Sequence, residues 1–288
     1  MKFVLAILGL AILTSCAQID DCKLWENIAP IEVVRIDGGS FVGTPYSNLF
    51  DTPIVLDDFY IGKFLVTQAQ WLETMGENPA FFNGDSNNPV ESITWYDAVL
   101  FLNRRSVLAG LEPFYTIDKD IPDTSNISPT DEYRWTVTIN ENANGYRLPT
   151  NLEWEFAAGG GQHTKGYVFS GSNDPNEVSW YFRTSGDEFL DGIWHWPSIE
   201  ANNGRTHPVG QKMPNELGLY DMSGNVREWV FDWFNPQQLT PIEGAWRSVR
   251  GGSWPTGEDA NRIYFYDGMP PYFPTYELGM RVARSVNE

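Results

Sequence analysis

The sequence predicts an α+β domain built from short helices, short strands and many loops. Three segments begin with a threonine whose side chain can accept a backbone N–H, and a residue three positions later can reach back to it. Four other segments are short, rich in β-branched and aromatic residues, and bounded by Gly, Pro, Asp or Asn. The chain also holds 26 Gly and 19 Pro. This content excludes a bundle of long helices.

The three threonines and three later glycines set the limits of the predicted helices. We expect helices from Thr67 to Gly76, from Thr94 to Gly110 and from Thr150 to Gly159. The residues that complete the three capping boxes are Gln70, Asp97 and Glu153. Each box satisfies two backbone N–H groups that the first helical turn leaves without partners.

The predicted strands cover residues 32–36, 54–56, 59–61 and 133–139. Residues 111–132 are rich in Asp, Pro, Ser and Thr, which predicts an excursion loop before the last strand. Because that strand needs a neighbour, we expect its partner to come from the body of the domain. We therefore place no domain boundary in the loop.

Composition excludes two classes of protein. The hydrophobic share of 42% and the aromatic share of 15% exclude wholesale disorder. The formal net charge is −19, and the densest positive cluster is the short segment 103–106. Nucleic acid is not an expected partner, since binding to phosphates needs a basic surface.

The N-terminus has the pattern of an export signal. Lys2 precedes an unbroken apolar run from Phe3 to Leu13, which is too short to span a bilayer as a helix. The box Leu13-Thr14-Ser15-Cys16 that ends the run resembles the bacterial lipoprotein signal, in which cleavage before Cys16 is coupled to lipidation of its thiol. The alternative is ordinary secretion without a lipid.

The resulting organisation has three parts. Residues 1–15 are the predicted signal peptide, residues 16–30 a polar tether, and residues 31–285 the folded domain. The lipid would anchor the protein in the bacterial cell envelope, at the outer membrane or cell surface or on the periplasmic face.

A series of motifs runs through the chain in a fixed order. In chain order they are Asp37-Gly38-Gly39-Ser40-Phe41, Lys63-Phe64-Leu65-Val66-Thr67-Gln68, Pro89-Val90-Glu91, Trp95-Tyr96-Asp97-Ala98, Gly145-Tyr146-Arg147-Leu148-Pro149-Thr150, Glu153-Trp154-Glu155, Pro208-Val209-Gly210, Asn215-Glu216-Leu217-Gly218-Leu219-Tyr220-Asp221-Met222-Ser223-Gly224-Asn225, Glu228-Trp229, Arg250-Gly251-Gly252-Ser253-Trp254 and Gly279-Met280-Arg281. This succession resembles the formylglycine-generating enzyme family, also called the sulfatase-modifying-factor domain. The resemblance implies an irregular α+β fold related to C-type lectins.

The family's named activity is not expected in this chain. The resemblance implies oxidation of a sulfatase cysteine by copper held between two thiolates, close to an active-site serine that matches Ser253. In the family's spacing the two cysteine positions fall on Thr256 and Asn261, and no cysteine follows Cys22. Monovalent copper needs soft ligands, so copper is an unexpected cofactor here.

Other catalytic centres have little support. Some members of the wider family use non-haem iron, but the three histidines, His163, His195 and His207, do not form a pair at helical or alternating spacing. The nucleophile motif G-x-S-x-G is also missing from the sequence. An enzyme of the same family, acting on protein cysteine or by an unrecognised reaction, remains an alternative.

The resemblance also implies a structural Ca²⁺ site. Its ligands would be the carboxylates of Asp221 and Glu228 and the carbonyl oxygens of Gly224 and Val226, all hard oxygen donors. The alternative is a carboxylate pair held by backbone N–H groups and Arg227. A second family site near residues 176–192 offers no ligands that can be placed.

The C-terminal segment is the predicted binding surface. It carries an aromatic set made of Trp254, Tyr264, Tyr266, Tyr272, Phe273 and Tyr276. Aromatic loops on a rigid scaffold bind ligands at small entropic cost, although each ring can instead fill the core. We therefore predict a non-catalytic, membrane-anchored binding or scaffolding module for a protein or glycan ligand. The segment also resembles the variable proteins of diversity-generating retroelements, a narrower alternative.

Replacing Cys16 tests the predicted anchor. A Cys16→Ser variant should move from the membrane fraction to the soluble fraction, because the acyl chain is the only anchor that the sequence predicts. Cys22→Ser is the matched control and should stay with the membranes. Fractionation and mass spectrometry of the N-terminal peptide make the measurement, and wild-type protein with an unmodified Cys16 would favour ordinary secretion.

Overall fold

The computed structural model describes residues 28, 30–41, 53–238 and 240–286. The signal peptide, Cys16, Cys22 and most of the predicted tether lie outside these residues. The chain divides after Pro30, and the fold described here belongs to the compact unit Ile31–Glu288.

The unit consists of short helices and strands in an α+β arrangement. The α-helices are α1 (Gln68–Met75), α2 (Trp95–Leu108), α3 (Asn151–Ala158), α4 (Pro175–Val178) and α5 (Trp196–Ala201). The strands are β1 (Val33–Ile36), β2 (Gly39–Phe41), β3 (Ile54–Leu56), β4 (Phe59–Gly62), β5 (Tyr115–Pro122), β6 (Trp135–Ile139), β7 (Arg227–Trp233), β8 (Arg247–Arg250), β9 (Tyr266–Met269), β10 (Leu278–Gly279) and β11 (Ala283–Ser285). Within the described residues, no helix is long and apolar enough to cross a membrane.

The predicted helix starts are confirmed. Thr67, Thr94 and Thr150 are the N-caps of α1, α2 and α3, and each forms a complete capping box. At α2, for example, the Thr94 side chain accepts the Asp97 N–H at 3.0 Å and the Asp97 carboxylate accepts the Thr94 N–H at 3.0 Å. Local side-chain chemistry therefore decides where these helices begin.

One strand prediction is wrong. Residues 111–132 are not a plain excursion loop, because they contain β5, which pairs antiparallel with β6. The strand at 135–139 therefore finds its partner inside the excursion and not in the body of the domain. The charged run Asp118-Lys119-Asp120 lies within β5 and is not typical of a strand, so the sequence pattern does not indicate one here. These polar residues are tolerated because they lie on a two-stranded ribbon that is partly exposed.

Two sheets form the centre of the domain. One has the strand order β1-β4-β11, and the other has the order β10-β7-β8-β9. In the second sheet β10 runs parallel to β7, while β7-β8 and β8-β9 are antiparallel. The buried indoles of Trp95 and Trp229 link α2 to this sheet: Trp95 Nε1 donates to Val230 O and Trp229 Nε1 to Ile93 O, both at 3.1 Å.

The candidate site starts where β8 ends. Gly251 and Gly252 follow this strand with φ of +86° and +68°. A Cβ at Gly252 would lie 2.5 Å from the Asn261 side chain and 2.7 Å from the Ala260 carbonyl oxygen. Glycine is therefore needed both for the left-handed backbone and for the close approach of the short 3₁₀ helix Glu258–Asn261.

Candidate functional site

Ser253 lies at the base of the site and is fully buried. Its hydroxyl donates to Glu277 Oε2 at 2.9 Å, and its backbone N–H donates to Thr256 Oγ1 at 2.9 Å. Both of these polar groups are therefore paired inside the protein.

The two positions that the resemblance assigns to copper-binding cysteines are neighbours in space. Asn261 Nδ2 donates to Thr256 Oγ1 at 3.1 Å and to Gly257 O at 2.7 Å, and Thr256 Oγ1 donates to Ser253 O at 2.8 Å. A neutral hydroxyl and a carboxamide, both hard donors, replace the thiolate pair that monovalent copper requires. The residues at this point therefore do not fit monovalent copper.

The histidines lie apart from this point. His207 stacks on Trp180 with ring centroids 3.8 Å apart, and its Nε2 contacts Ser185 O at 2.8 Å. Burial lowers the pKa of His207 below its usual value. Across the described part of the chain, no group of three or more His, Cys, Asp or Glu side chains is arranged to hold a metal.

An open cavity of about 440 Å³ lies beside Thr256. Its walls are Trp194, Trp196, Arg227, Pro255, Thr256, Gly257, Ala260, Tyr276 and Glu277. Large rings and a few charged groups therefore face the same space. This combination is typical of a binding site, where apolar surface supplies affinity and polar groups supply orientation.

The rings around the cavity belong to a larger group that we call the aromatic cradle. It consists of Phe81, Phe82, Trp194, Trp196, Trp254 and Tyr276. The Trp254 ring is only 3% exposed and lies 5.2 Å from Phe82, 5.9 Å from Trp196 and 5.9 Å from Tyr276 between centroids. Phe81 also belongs to the group, because its ring centroid lies 5.6 Å from that of Tyr276. Trp254 is thus the floor of the cradle.

Loops from distant parts of the chain hold the cradle in place. Gln68, buried on α1, donates to Phe82 O at 2.8 Å, and Glu91 accepts the Phe82 N–H at 2.8 Å. On the opposite wall Trp194 Nε1 donates to Pro255 O at 2.6 Å. Phe81 and Trp194 are nevertheless 68% and 50% exposed, so their faces are available to a ligand.

The structure gathers only part of the predicted binding surface. Trp254 and Tyr276 lie together in the cradle, and the other four residues contact different neighbours. Tyr264 lines a separate cavity beside Tyr167, and Tyr266 packs against Phe234 at 5.5 Å. Tyr272 shares a 2.8 Å hydrogen bond with Thr130, and Phe273 is half exposed. Of the six predicted ligand residues, the structure therefore brings only Trp254 and Tyr276 into the cradle, and ligand binding by the other four stays a prediction.

Four cradle residues were missed by the sequence analysis. They are Phe81, Phe82, Trp194 and Trp196, which lie outside the C-terminal segment, the first three in loops and Trp196 at the start of α5. The available signal was the close spacing of aromatic residues in Phe81-Phe82 and Trp194-His195-Trp196. Large apolar side chains that stay exposed on loops can mark a ligand surface.

The two carboxylates among the predicted calcium ligands have protein partners. Arg281 binds both carboxylate oxygens of Glu228, with Nε to Oε2 at 2.5 Å and an η nitrogen to Oε1 at 2.9 Å. The Asp221 carboxylate accepts from Gly210 N at 2.7 Å and from Asn225 Nδ2 at 3.3 Å. Arg281, and not Arg227, is thus the cation that pairs with Glu228.

The electrostatics of this loop follow from its burial. Burial raises the pKa of Asp221 to about 6, while the hydrogen bond from Gly210 acts in the opposite sense. Burial also raises the pKa of Glu228 against the effect of Arg281. A dication at Glu228 would face the buried guanidinium of Arg281, so these groups, as arranged here, do not fit Ca²⁺. Calcium binding stays a prediction of the sequence.

Comparison with known proteins identifies the class of protein. Residues 25–286 match the family of sulfatase-modifying factor enzyme 1-like domains. The chain belongs to this family, and the resemblance found in its motifs is confirmed.

Among its relatives, the chain is 45% identical over 286 residues to the chaperone protein LppX of Paenibacillus barcinonensis, a match that covers 98% of this chain and 97% of that protein. It is 35% identical over 124 residues to the formylglycine-generating enzyme of Streptomyces coelicolor, covering 38% of this chain and 36% of the enzyme. The solved structure of Treponema denticola variable protein 1 superimposes with a TM-score of 0.71 at 29% identity, covering 88% of this chain and 94% of that chain. The predicted fold class is confirmed by these neighbours.

A melting experiment tests the calcium prediction. Because Arg281 occupies both oxygens of Glu228, we expect the melting temperature to be the same in excess Ca²⁺ and in excess chelator. A ligand that binds only the folded state would raise it in proportion to the logarithm of its concentration. If calcium instead raises the melting temperature by several degrees, and this rise is lost in Glu228→Gln, the protein binds Ca²⁺ at Glu228.

A double cysteine variant tests whether Thr256 and Asn261 occupy the family's metal positions. Because their side chains are 3.1 Å apart, Thr256→Cys with Asn261→Cys should bind monovalent copper much more tightly than either single variant. Competition with a chromophoric copper chelator makes the measurement. Equal binding by the single and double variants would show that the two positions do not form a metal pair.

Proposed function

We propose that this protein is a non-catalytic binding module of the bacterial cell envelope, which holds a protein partner on its aromatic cradle. The observation that carries the proposal is the hydrogen bond between Thr256 and Asn261 next to an open aromatic cavity. The positions that serve oxidation in the family are occupied by neutral groups, while the cavity beside them stays available.

Ser253 offers no alternative route to catalysis. Its hydroxyl is fully buried and donates to Glu277, so a substrate has no access to it in this arrangement. Glu277 is a base within hydrogen-bond reach of Ser253, but a nucleophilic oxygen must also contact its substrate, and this oxygen is buried. The hydrogen bond from Ser253 therefore holds the Glu277 carboxylate beside the Gly251-Gly252 turn.

The exposed rings account for binding energy. Phe81 and Trp194 present large apolar faces to solvent, and the buried ring of Trp254 forms the floor between them. Aromatic anchors in such positions are commonly interface hot spots, where truncation to alanine costs about 2 kcal/mol or more. A rigid floor also lowers the entropic cost of association.

The relatives support a protein as the partner. LppX is named as a chaperone protein, and the match to it spans nearly all of both chains. A chaperone acts on a protein, so we assign a protein ligand to this chain and keep a glycan as the alternative outcome of the test. The Treponema neighbour is named as a variable protein, which supports ligand binding on this scaffold. Variation of residues 254–276 among relatives, and the lipid anchor at Cys16, are further parts of the proposal.

Partner capture with matched variants tests the proposal. Envelope extract of the source bacterium is passed over the immobilised domain, and Trp194→Ala should weaken capture by roughly 30-fold because it removes an exposed cradle ring. Trp246→Ala is the matched control, since this indole is 46% exposed but stacks on Phe234, outside the cradle. Equal capture by both variants would contradict the proposal.

Two further arms separate the alternatives. Protease treatment of the extract should abolish capture by the wild-type domain, whereas retention would identify a glycan ligand. With copper and a cysteine-containing sulfatase peptide, the domain should consume no oxygen above background. Oxygen uptake with turnover would replace the binding proposal by an enzymatic one.

A further inference from the structure

The lining of the cavity carries one cation, Arg227, and one anion, Glu277, and a second carboxylate, Asp267, pairs with the cation from outside the lining. Arg227 donates to Asp267 at 2.9 Å, and its Nε lies 3.9 Å from Glu277 Oε2. One guanidinium therefore lies between two carboxylates, and the local balance is negative. Glu277 lines the cavity, and its position is held by the 2.9 Å hydrogen bond from Ser253.

The surroundings of the cavity add negative charge. Glu258 and Asp259 are exposed on the 3₁₀ helix that follows the lining residue Gly257. The nearby cation Arg262 is engaged by Asp259 at 2.8 Å. The pKa of Tyr276 is raised by burial and further by the carboxylates of Glu277 and Glu200, as expected where the field is negative. The whole chain is also negative, with a formal net charge of −19.

The walls suit a cation as well. Trp194, Trp196 and Tyr276 line the same cavity as Glu277. The faces of aromatic rings attract ammonium and guanidinium groups, and more strongly where water is excluded. Their apolar surface also covers the methylene stem of a long side chain. A carboxylate ligand would gain neither of these contacts and would be repelled by Glu277, while the one cation in the lining, Arg227, is already paired with Asp267 at 2.9 Å.

We propose that this cavity receives a cationic side chain, a lysine or an arginine, of the protein partner. The charged head lies at Glu277 and the stem lies between the rings of Trp194, Trp196 and Tyr276. The inference rests on the proposed function and adds the chemistry by which the partner is recognised. Glu277 is thus the residue that determines specificity.

Small probes test the charge requirement directly. The probes are N-acetyl-arginine amide, its neutral analogue N-acetyl-citrulline amide, and N-acetyl-glutamate amide. Binding is followed by the NMR signal of the Trp194 indole N–H, which is assigned with Trp194→Phe. We expect the arginine probe to shift this signal at a concentration about tenfold lower than the citrulline probe, and the glutamate probe to leave it unchanged.

A pair of charge-neutralising variants locates the effect. Glu277→Gln keeps an oxygen that can accept the Ser253 hydroxyl but removes the charge, and should weaken binding of the arginine probe about tenfold. Glu132→Gln makes the same change at an exposed residue outside the cavity and should bind the probe like the wild type. The control separates a local effect from the general attraction of an acidic protein for cations.

Three results would overturn the inference: equal binding of the arginine and citrulline probes, preferential binding of the glutamate probe, or unchanged binding in Glu277→Gln. Its failure differs from failure of the proposed function. If Trp194→Ala loses the envelope partner while Glu277→Gln retains it fully, the charge requirement is wrong and the binding module stands. If Trp194→Ala retains the partner, the binding module itself is wrong.

Discussion

The buried ion pair between Arg281 and Glu228 is the interaction on which the rest of the domain depends. Both side chains have no exposed surface, and the guanidinium also donates to Gly62 O at 2.9 Å and to Tyr220 O at 3.0 Å. The pair thereby connects β7 of one sheet to the end of β4 in the other. Removing one member of such a pair leaves an uncompensated buried charge and typically costs about 3–5 kcal/mol.

The candidate site is built outward from this connection. The relative placement of the two sheets sets the start of β7, where Arg227 lies, and the end of β8, where the Gly251-Gly252 turn begins. The turn delivers Ser253 and Trp254 beneath the 3₁₀ helix that carries Asn261. The rings of the cradle pack on Trp254, so this turn and the hydrogen bonds to Phe82 and from Trp194 together position the cradle.

This scaffold separates fold from chemistry. Thr256 and Asn261 keep the contact that two metal ligands would need, and their hydrogen bonds to each other and to Ser253 and Gly257 leave the local backbone fully supported. Two hydrogen-bonding side chains can therefore occupy these positions without leaving an unpaired polar group that would destabilise the fold. Family membership by itself fixes the architecture, whereas function follows from the groups that occupy the site.

Features that depend on neighbours a few residues apart, or on a missing residue type, can be read from the sequence alone. The capping boxes at Thr67, Thr94 and Thr150 are of this kind, and so is the lack of a thiolate pair. Tertiary structure alone decided which cation pairs with Glu228, how β5 and β6 pair, and which rings form the cradle. These contacts join positions as distant as Phe81 and Tyr276. No local pattern encodes them, because burial and shape complementarity arise only when separate elements pack.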